Sequence, residues 1–139
     1  MPEYTILDHT ADVGIEVWGK TKKELFANAA LAMFDLMINL SEVEKVEEKT
    51  IAVAGHDLQD LLVNFLREVL YRFNGKGWLV KECRIKKITT QNLIAQMAGE
   101  RYNRRKHQLQ KEIKAVTYHC LSVKKIEGGG WKARVIFDV

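Results

Sequence analysis

The sequence predicts an α+β domain in which two amphipathic helices pack on a mixed or antiparallel β-sheet. Two segments, near residues 21–39 and 57–74, repeat apolar residues at intervals of three and four, as helices with one buried face do. Extended segments precede and separate them, and four more follow in the second half of the chain. This order differs from a repeating βαβ unit, which favours the α+β class.

The two helices are each expected to begin at a recognisable cap. Thr21 and Glu24 form a capping box, in which the two side chains accept hydrogen bonds from free N–H groups at a helix start. The first helix should extend to about Asn39. Asp57 can cap the second helix, which should end at Asn74, just before a glycine.

The strands are predicted from alternating or β-branched residues, and the turns from glycine and polar residues. The polar, basic segment 99–111 is predicted to be a loop, and the three consecutive glycines at 128–130 a hairpin turn, because glycine tolerates positive φ. The predicted strands cover residues 3–7, 14–18, 50–53, 78–89, 93–98, 113–126 and 131–138.

Length and composition favour one domain, residues 1–139, because 47% apolar residues are enough for one continuous core. The two cysteines, Cys83 and Cys120, have neither the C-x-x-C spacing of redox motifs nor the pattern of a zinc site. There is no secretory leader pattern, and no apolar run approaches the roughly 20 residues that cross a bilayer. We therefore expect a cytoplasmic protein that does not bind membranes.

The basic residues are concentrated in residues 81–115, which carry 10 basic and 3 acidic side chains. Such a segment can bind RNA phosphates or an acidic protein partner, but it can equally form a solvated face. No RNA-binding motif with interleaved aromatic residues accompanies it. We expect any contact with RNA through this segment to be indirect, by way of a protein partner.

The register of the final hairpin decides which polar residues meet at its open end. If Glu127 pairs with Trp131 around the glycines, Asp138 faces Cys120, and His119 lies beside this pair. The hairpin would then bring Asp138 and His119 together at the end away from the turn.

Polar residues of an earlier loop could join that end. Asp8, His9 and Asp12 lie between the first two predicted strands, and Asp138 precedes the carboxylate of Val139. Oxygen ligands of this kind suit Ca²⁺, Mg²⁺ or Mn²⁺ better than zinc. The alternative is that the loop aspartates cap a turn and Asp138 is a solvated strand end.

Lys114 lies inside a predicted strand, where its ammonium could bind a phosphate or a partner carboxylate or could simply extend into solvent. Other common chemical signatures are missing from the sequence. It contains no phosphate-binding loop, no dinucleotide fingerprint and no nucleophile elbow.

Several blocks, in order along the chain, resemble the archease family. Residues 9–14 match its H-T-A-D-x-G signature, residues 112–119 match E-I-K-A-x-T-Y-H, and residues 134–139 resemble its ending. Residues 99–107, with Gly99, Glu100 and His107, resemble a middle block. The resemblance covers essentially the whole chain.

This resemblance implies an activator of an RtcB-type RNA ligase in tRNA splicing and RNA repair. Such a protein would promote guanylylation of the ligase by GTP and multiple turnover, without catalysis of its own. The resemblance also implies a divalent cation, Ca²⁺ first and Mn²⁺ or Mg²⁺ as alternatives, bound by Asp12, Asp138 and Val139. The implied activation residues are Asp12, Lys114 and Asp138, with His9 and His119 near them.

Two residues depart from the family pattern. Asn103 stands where an aspartate is expected in the middle block, and Phe65 stands in place of a common tryptophan. The lost charge at Asn103 puts any metal or partner role of that loop in doubt.

Two other functions are consistent with the residues: a small metal-dependent phosphohydrolase using Asp12 and Asp138, or a basic RNA-binding module.

Overall fold

The structure, a computed structural model, describes residues 2–8 and 12–139, with only the backbone described for Asp8. Within these ranges the chain forms seven strands, two α-helices and one short 3-10 helix. In chain order they are β1 Tyr4–Asp8, β2 Asp12–Gly19, α1 Lys22–Met37, the 3-10 helix Leu40–Glu42, β3 Glu47–Ala54, α2 Leu58–Asn74, β4 Trp78–Ile88, β5 Asn92–Arg101, β6 Ala115–Lys125 and β7 Trp131–Asp138.

The strands form two antiparallel sheets. One has the order β1-β2-β7-β6, and the other has the order β3-β5-β4. The predicted α+β class with two helices is therefore confirmed, and its strands divide between two sheets. In the four-stranded sheet β7 lies between β2 and β6, so the last strand of the chain is central and β6 has a free edge.

The helix starts follow the predicted caps. The Thr21 hydroxyl accepts a hydrogen bond from the Glu24 N–H at 3.1 Å, and the Asp57 carboxylate accepts one from the Asp60 N–H at 2.8 Å. Helix α1 ends two residues before the predicted Asn39, because Ile38 is extended and pairs with Leu109 in an isolated bridge.

Both helices contact both sheets, which places the core between them. Helix α1 packs against β2 and β7 of one sheet and β4 of the other, while α2 packs against β6, β3, β4 and β5. Helix α1 is apolar over most of its surface, as expected for a helix that packs between two sheets. Its buried residues are Leu25, Phe26, Ala29, Ala30, Ala32, Met33, Phe34, Leu36 and Met37.

Strand β5 continues beyond its predicted end, so the prediction of a loop beginning at Gly99 is wrong. Gly99 pairs with Glu47 on one side and Val80 on the other. A side chain at this position would collide with the Leu79 carbonyl oxygen. Glycine here therefore permits close approach of two backbones inside a sheet rather than a turn. The connection between β5 and β6 covers residues 102–114.

No helix in the described ranges is long and apolar enough to cross a membrane. The cytoplasmic location stays a prediction.

Candidate partner-activation site

The glycine turn between β6 and β7 is confirmed, but its predicted register is wrong. Gly128, Gly129 and Gly130 have φ angles of 91°, 120° and 88°. Trp131 pairs with Lys125 instead of Glu127. The five-residue connection is closed by a hydrogen bond from the Ile126 N–H to the Gly130 carbonyl oxygen at 2.9 Å.

A bulge in β6 changes the register again. Ser122 pairs with Arg134 and Thr117 with Ile136, so the four β6 residues between Thr117 and Ser122 face the single β7 residue between Arg134 and Ile136. Cys120, inside the bulge, has a positive φ of 53°. Extra residues on one strand shift every pair beyond them.

The predicted pairing of Asp138 with Cys120 is wrong for this reason. Asp138 pairs with Ala115, and His119 lies in the bulge, at the level between Ile136 and Arg134. The His119 N–H donates to the Thr117 hydroxyl at 3.3 Å, and the residue is exposed. The hairpin therefore does not place His119 beside Asp138, and its role in activation stays a prediction.

The same shift brings Lys114 to the open end of the hairpin. Its backbone N–H donates to the Asp138 carbonyl oxygen at 2.7 Å. On the other side of β7, Asp12 is the direct partner of Asp138 in the β2–β7 pairing. Three residues from three distant parts of the sequence thus meet at one end of the four-stranded sheet.

The two aspartates lie on the outer face of the sheet, because their neighbours Val13 and Phe137 are buried in the core. Residues directly opposite in an antiparallel pair have Cβ atoms about 5 Å apart, and like charges there are unfavourable. Among the described residues, neither carboxylate has an ion pair or a side-chain hydrogen bond. Asp138 and Lys114 are exposed, and Asp12 is half-buried.

Some predicted site residues lie outside the part of the chain that the structure describes. His9 falls between the described ranges, as does the Asp8 side chain, although the Asp8 backbone pairs with Val13. Val139 follows Asp138 and packs partly against the core. Within the described residues no three His, Cys, Asp or Glu side chains form a metal-binding group. The predicted cation site therefore stays a prediction.

Helix α2 holds the start of β6 in place through side chains that belong to no recognised sequence motif. The Asn74 amide donates to the Ile113 carbonyl oxygen at 2.9 Å. The Arg67 guanidinium donates two hydrogen bonds to the Val116 carbonyl oxygen, at 3.2 and 3.1 Å. These contacts flank Lys114 on both sides and cover part of the free edge of β6, which limits pairing with other chains.

The bulge is also attached to α2. The Tyr118 hydroxyl donates to the Asp60 carboxylate at 2.6 Å, and the Arg67 guanidinium lies 4.9 Å from the centre of the Tyr118 ring. The hydrogen bond from Tyr118, and a second from the His56 N–H, lower the pKa of Asp60. The same hydrogen bond raises the pKa of Tyr118. Helix α2 thus fixes the bulge as well as the strand start.

The middle block of the resemblance forms a separate network on the three-stranded sheet. His107 is 1% exposed. Its Nδ1 accepts a hydrogen bond from the Asn103 N–H at 2.9 Å, so its Nε2 carries the proton and donates to Glu100 at 3.0 Å. Lys106 connects Glu100 to Glu44, at 3.0 and 2.7 Å. The Tyr102 ring stacks on the imidazole.

Hydrogen bonds favour the ionised form of the Glu100 carboxylate. Its partial burial raises its pKa, but hydrogen bonds from Lys106, the Glu44 N–H and His107 together lower the pKa to about 2. Asn103 accepts a hydrogen bond from the Arg105 N–H at 3.0 Å, a bond that an aspartate could also accept. Asn103 therefore keeps a hydrogen bond that an aspartate at this position would also make.

The basic residues of segment 81–115 are spread over several surfaces. Lys81 donates to the Leu40 carbonyl oxygen at 2.6 Å, and Lys106 is held by two glutamates. Arg84 is exposed on β4, whereas Lys114 lies at the end of the other sheet. RNA contact through this segment stays a prediction.

The chain matches a known protein family over nearly its whole length. The model of the Archease protein family matches residues 4–139. The chain belongs to the archease family. Its curated relatives include the archease of Methanosarcina barkeri, 39% identical over 141 residues, which cover 99% of this chain and 96% of the relative. The archease of Pyrococcus abyssi is 35% identical over the full length of both chains.

Solved structures of archeases share the fold. The solution structure of Methanobacterium thermoautotrophicum protein 1598 has a TM-score of 0.82 and 33% identity, covering 98% of both chains. The crystal structure of a Thermotoga maritima archease, described as a possible chaperone, has a TM-score of 0.69 and 26% identity, covering 96% of this chain and 94% of that one. The family resemblance inferred from the sequence is thus confirmed.

Proposed function

We propose that this archease is an activator of an RtcB-type RNA ligase in tRNA splicing and RNA repair, and that it promotes guanylylation of the ligase by GTP and multiple turnover. Family membership supports the proposal in general terms. The observation that carries it is the meeting of Asp12, Lys114 and Asp138 at one open end of the sheet.

The arrangement suits contact with a charged centre in another protein. Asp12 and Asp138 are direct strand partners on the outer face of the sheet. Neither carboxylate has a cationic partner among the described residues, so each can accept one from outside. Lys114 supplies a positive charge at the same sheet end, where a GTP phosphate or a partner carboxylate could bind it. Because strand pairing and α2 fix the backbones, little conformational freedom is lost on binding.

We further propose one hard divalent cation, Ca²⁺ first and Mn²⁺ or Mg²⁺ as alternatives, bound by carboxylate oxygens of Asp12 and Asp138 with a main-chain oxygen from Val139. The donor set fits, because hard cations prefer oxygen ligands. The opposed pair of carboxylates also fits, since a cation between them would turn an unfavourable like-charge pair into a favourable one.

The covalent chemistry is assigned to the ligase. This protein contributes binding and orientation at the ligase's metal and nucleotide site, so it is not itself an enzyme in the proposal.

The function is tested by single-turnover transfer of GMP to the purified cognate ligase, followed by multiple-turnover RNA ligation. Asp12→Ala, Lys114→Ala and Asp138→Ala should each lower the maximal stimulation at least about tenfold, equivalent to ~1.4 kcal/mol of transition-state stabilisation. Their free energies of unfolding should stay within about 1 kcal/mol of wild type, because none removes a core contact.

Matched controls are available on the same hairpin. Glu127→Ala and Lys124→Ala remove exposed charges of the same type and should leave stimulation unchanged. If the wild-type protein does not stimulate the ligase, the proposed function is wrong. If it does, and all three site variants stimulate equally well, the function stands and the site is wrong.

The cation is tested separately by calorimetry in metal-free buffer. Ca²⁺ and Mn²⁺ should bind to wild type with a stoichiometry of about one, as expected for a single carboxylate site. Asp12→Ala and Asp138→Ala should abolish that binding. Equal binding by wild type and Asp12→Ala would remove the cation from the proposal.

A further inference from the structure

A small open pocket lies directly beside Lys114, between α2 and the start of β6. Its volume is about 250 Å³. Leu70 and Val116, both buried, line it together with Tyr71 of α2 and Ala115 of β6. The pocket is therefore apolar inside and continuous with the residue that the proposed activation site already uses.

The size of the pocket limits what it can bind. Sites for small organic ligands and cofactors usually have volumes of about 300–1,000 Å³ and enclose most of the ligand. This pocket is smaller than that range and open on one side. A single large apolar side chain from another protein fits better than a nucleotide or a metabolite.

The rim of the pocket is positively charged. Arg67 and Lys114 line it, and the Lys76 ammonium lies 5.8 Å from the centre of the Tyr71 ring. The carboxylates of α2 are already engaged, because Asp60 accepts from Tyr118 and Glu68 pairs with Arg72 at 3.1 Å. Asp138, whose carbonyl oxygen binds the Lys114 N–H, is not among the residues that line the pocket. A partner segment with carboxylates beside its apolar side chain would complement this rim.

Exposed aromatic residues lie around the pocket. Tyr71 is 52% exposed and Tyr118, which contacts Arg67, is 50% exposed. Tyrosine and arginine are enriched at the centres of protein interfaces, whereas nucleic-acid surfaces need a row of phosphate-binding cations. The observations therefore favour a protein partner over RNA.

We propose that this pocket receives one large apolar side chain from an acidic segment of the ligase, and that this contact docks the two proteins. The proposal rests on the proposed function and adds the docking contact to it. Asp12 and Asp138 would then reach the ligase's active centre while the neighbouring pocket supplies affinity.

Docking through the pocket and activation through Asp12 and Asp138 predict different changes when the ligase is titrated with this protein. Tyr71→Ala should raise the dissociation constant and the half-saturating concentration about tenfold or more, as truncation of a central interface tyrosine does. Maximal stimulation at saturation should stay at the wild-type level. Variants of Asp12 and Asp138 should instead lower the maximum. The Tyr71 side chain is half exposed and alanine favours helices, so the variant should fold.

Charge is tested with Lys76→Glu, which should weaken ligase binding several-fold at low salt and less at high salt. Lys87→Glu makes the same change of charge on β4 of the other sheet and should have no effect. Ile94→Ala, at a residue 37% exposed on β5, is the matched apolar control.

A photo-reactive residue in place of Tyr71 identifies the occupant. It should cross-link to a ligase peptide that contains aspartate or glutamate beside an apolar residue, and the same group at Ile94 should not. Cross-linking to substrate RNA or to a basic ligase segment would overturn the proposal, as would a Tyr71→Ala titration curve identical to that of an active wild type. If wild type neither binds nor stimulates the ligase, both proposals fall.

Discussion

Two groups of charged residues in this archease, both in blocks that resemble the family pattern, differ in how their charges are satisfied. At the open end of the four-stranded sheet, Asp12 and Asp138 oppose each other without a cationic partner among the described residues. On the three-stranded sheet, Glu100 accepts hydrogen bonds from Lys106, His107 and a backbone N–H.

The difference is the reason for proposing that the first group contacts a partner and that the second stabilises the protein. A charge whose hydrogen bonds are all internal stabilises a loop and has little left to offer a ligand. Opposed carboxylates with no internal partner weaken the sheet slightly and are available to a cation or another protein. Four predictions test this comparison, from the largest expected effect on stability to the smallest.

His107→Ala should lower the free energy of unfolding by about 2–4 kcal/mol, because it leaves a cavity and removes the hydrogen-bond partners of Asn103 and Glu100. Urea denaturation measures the change. At a temperature where the variant is folded, maximal stimulation of the ligase should be unaffected. His119→Ala, at an exposed histidine, is the control and should change stability by less than about 0.5 kcal/mol. A stable His107→Ala that had lost all stimulation would contradict the comparison.

The stability of the protein should depend on the charge of Glu100 between pH 4.5 and about 2. Hydrogen bonds lower its folded pKa to about 2 from an ordinary value of 4.5. A carboxylate with a lowered pKa stabilises the fold fully above the unfolded pKa, and this contribution is lost as the pH falls toward the folded pKa. The unfolding midpoint of wild type should therefore fall more steeply over this window than that of Glu100→Gln. Parallel curves would show that the network does not stabilise the ionised form.

Asp12→Asn and Asp138→Asn should stabilise the protein, whereas His107→Ala should destabilise it. In metal-free buffer each removes one of two opposed negative charges, so each should raise the free energy of unfolding by up to about 0.5 kcal/mol. Stimulation of the ligase should be lost at the same time. Destabilisation by either variant would mean that the carboxylates have a stabilising partner in the free protein.

Asn103→Asp should have the smallest effect, within about 0.5 kcal/mol in thermal unfolding, because either side chain accepts the Arg105 N–H. Ligase stimulation should also stay the same, since this loop belongs to the structural network. A gain of stimulation in Asn103→Asp would assign a functional role to the loop and remove the distinction between the two groups.

The sequence predicted the helices best and the pairing at the site least well. Thr21 and Asp57 begin their helices as expected, because a cap depends on residues within one turn. The glycines at 128–130 make the expected turn. The pairing of Asp138 failed, because nothing in the local pattern of β6 reveals the bulge around Cys120. Arg67 and Asn74 were missed because their acceptors are backbone carbonyls far away in sequence.

By itself, the sequence determined the α+β class, the family and the chemical types of the candidate site residues, because periodicity, caps and motifs are local properties of a chain. Only the tertiary structure decided that Lys114, and not His119, lies beside Asp138. It also decided that the Glu100 carboxylate accepts hydrogen bonds from Lys106 and His107, whereas the Asp12 carboxylate has no such partner among the described residues. The physical reason is that register and ion pairing depend on contacts between distant segments. A short bulge in one strand is enough to change which side chains meet.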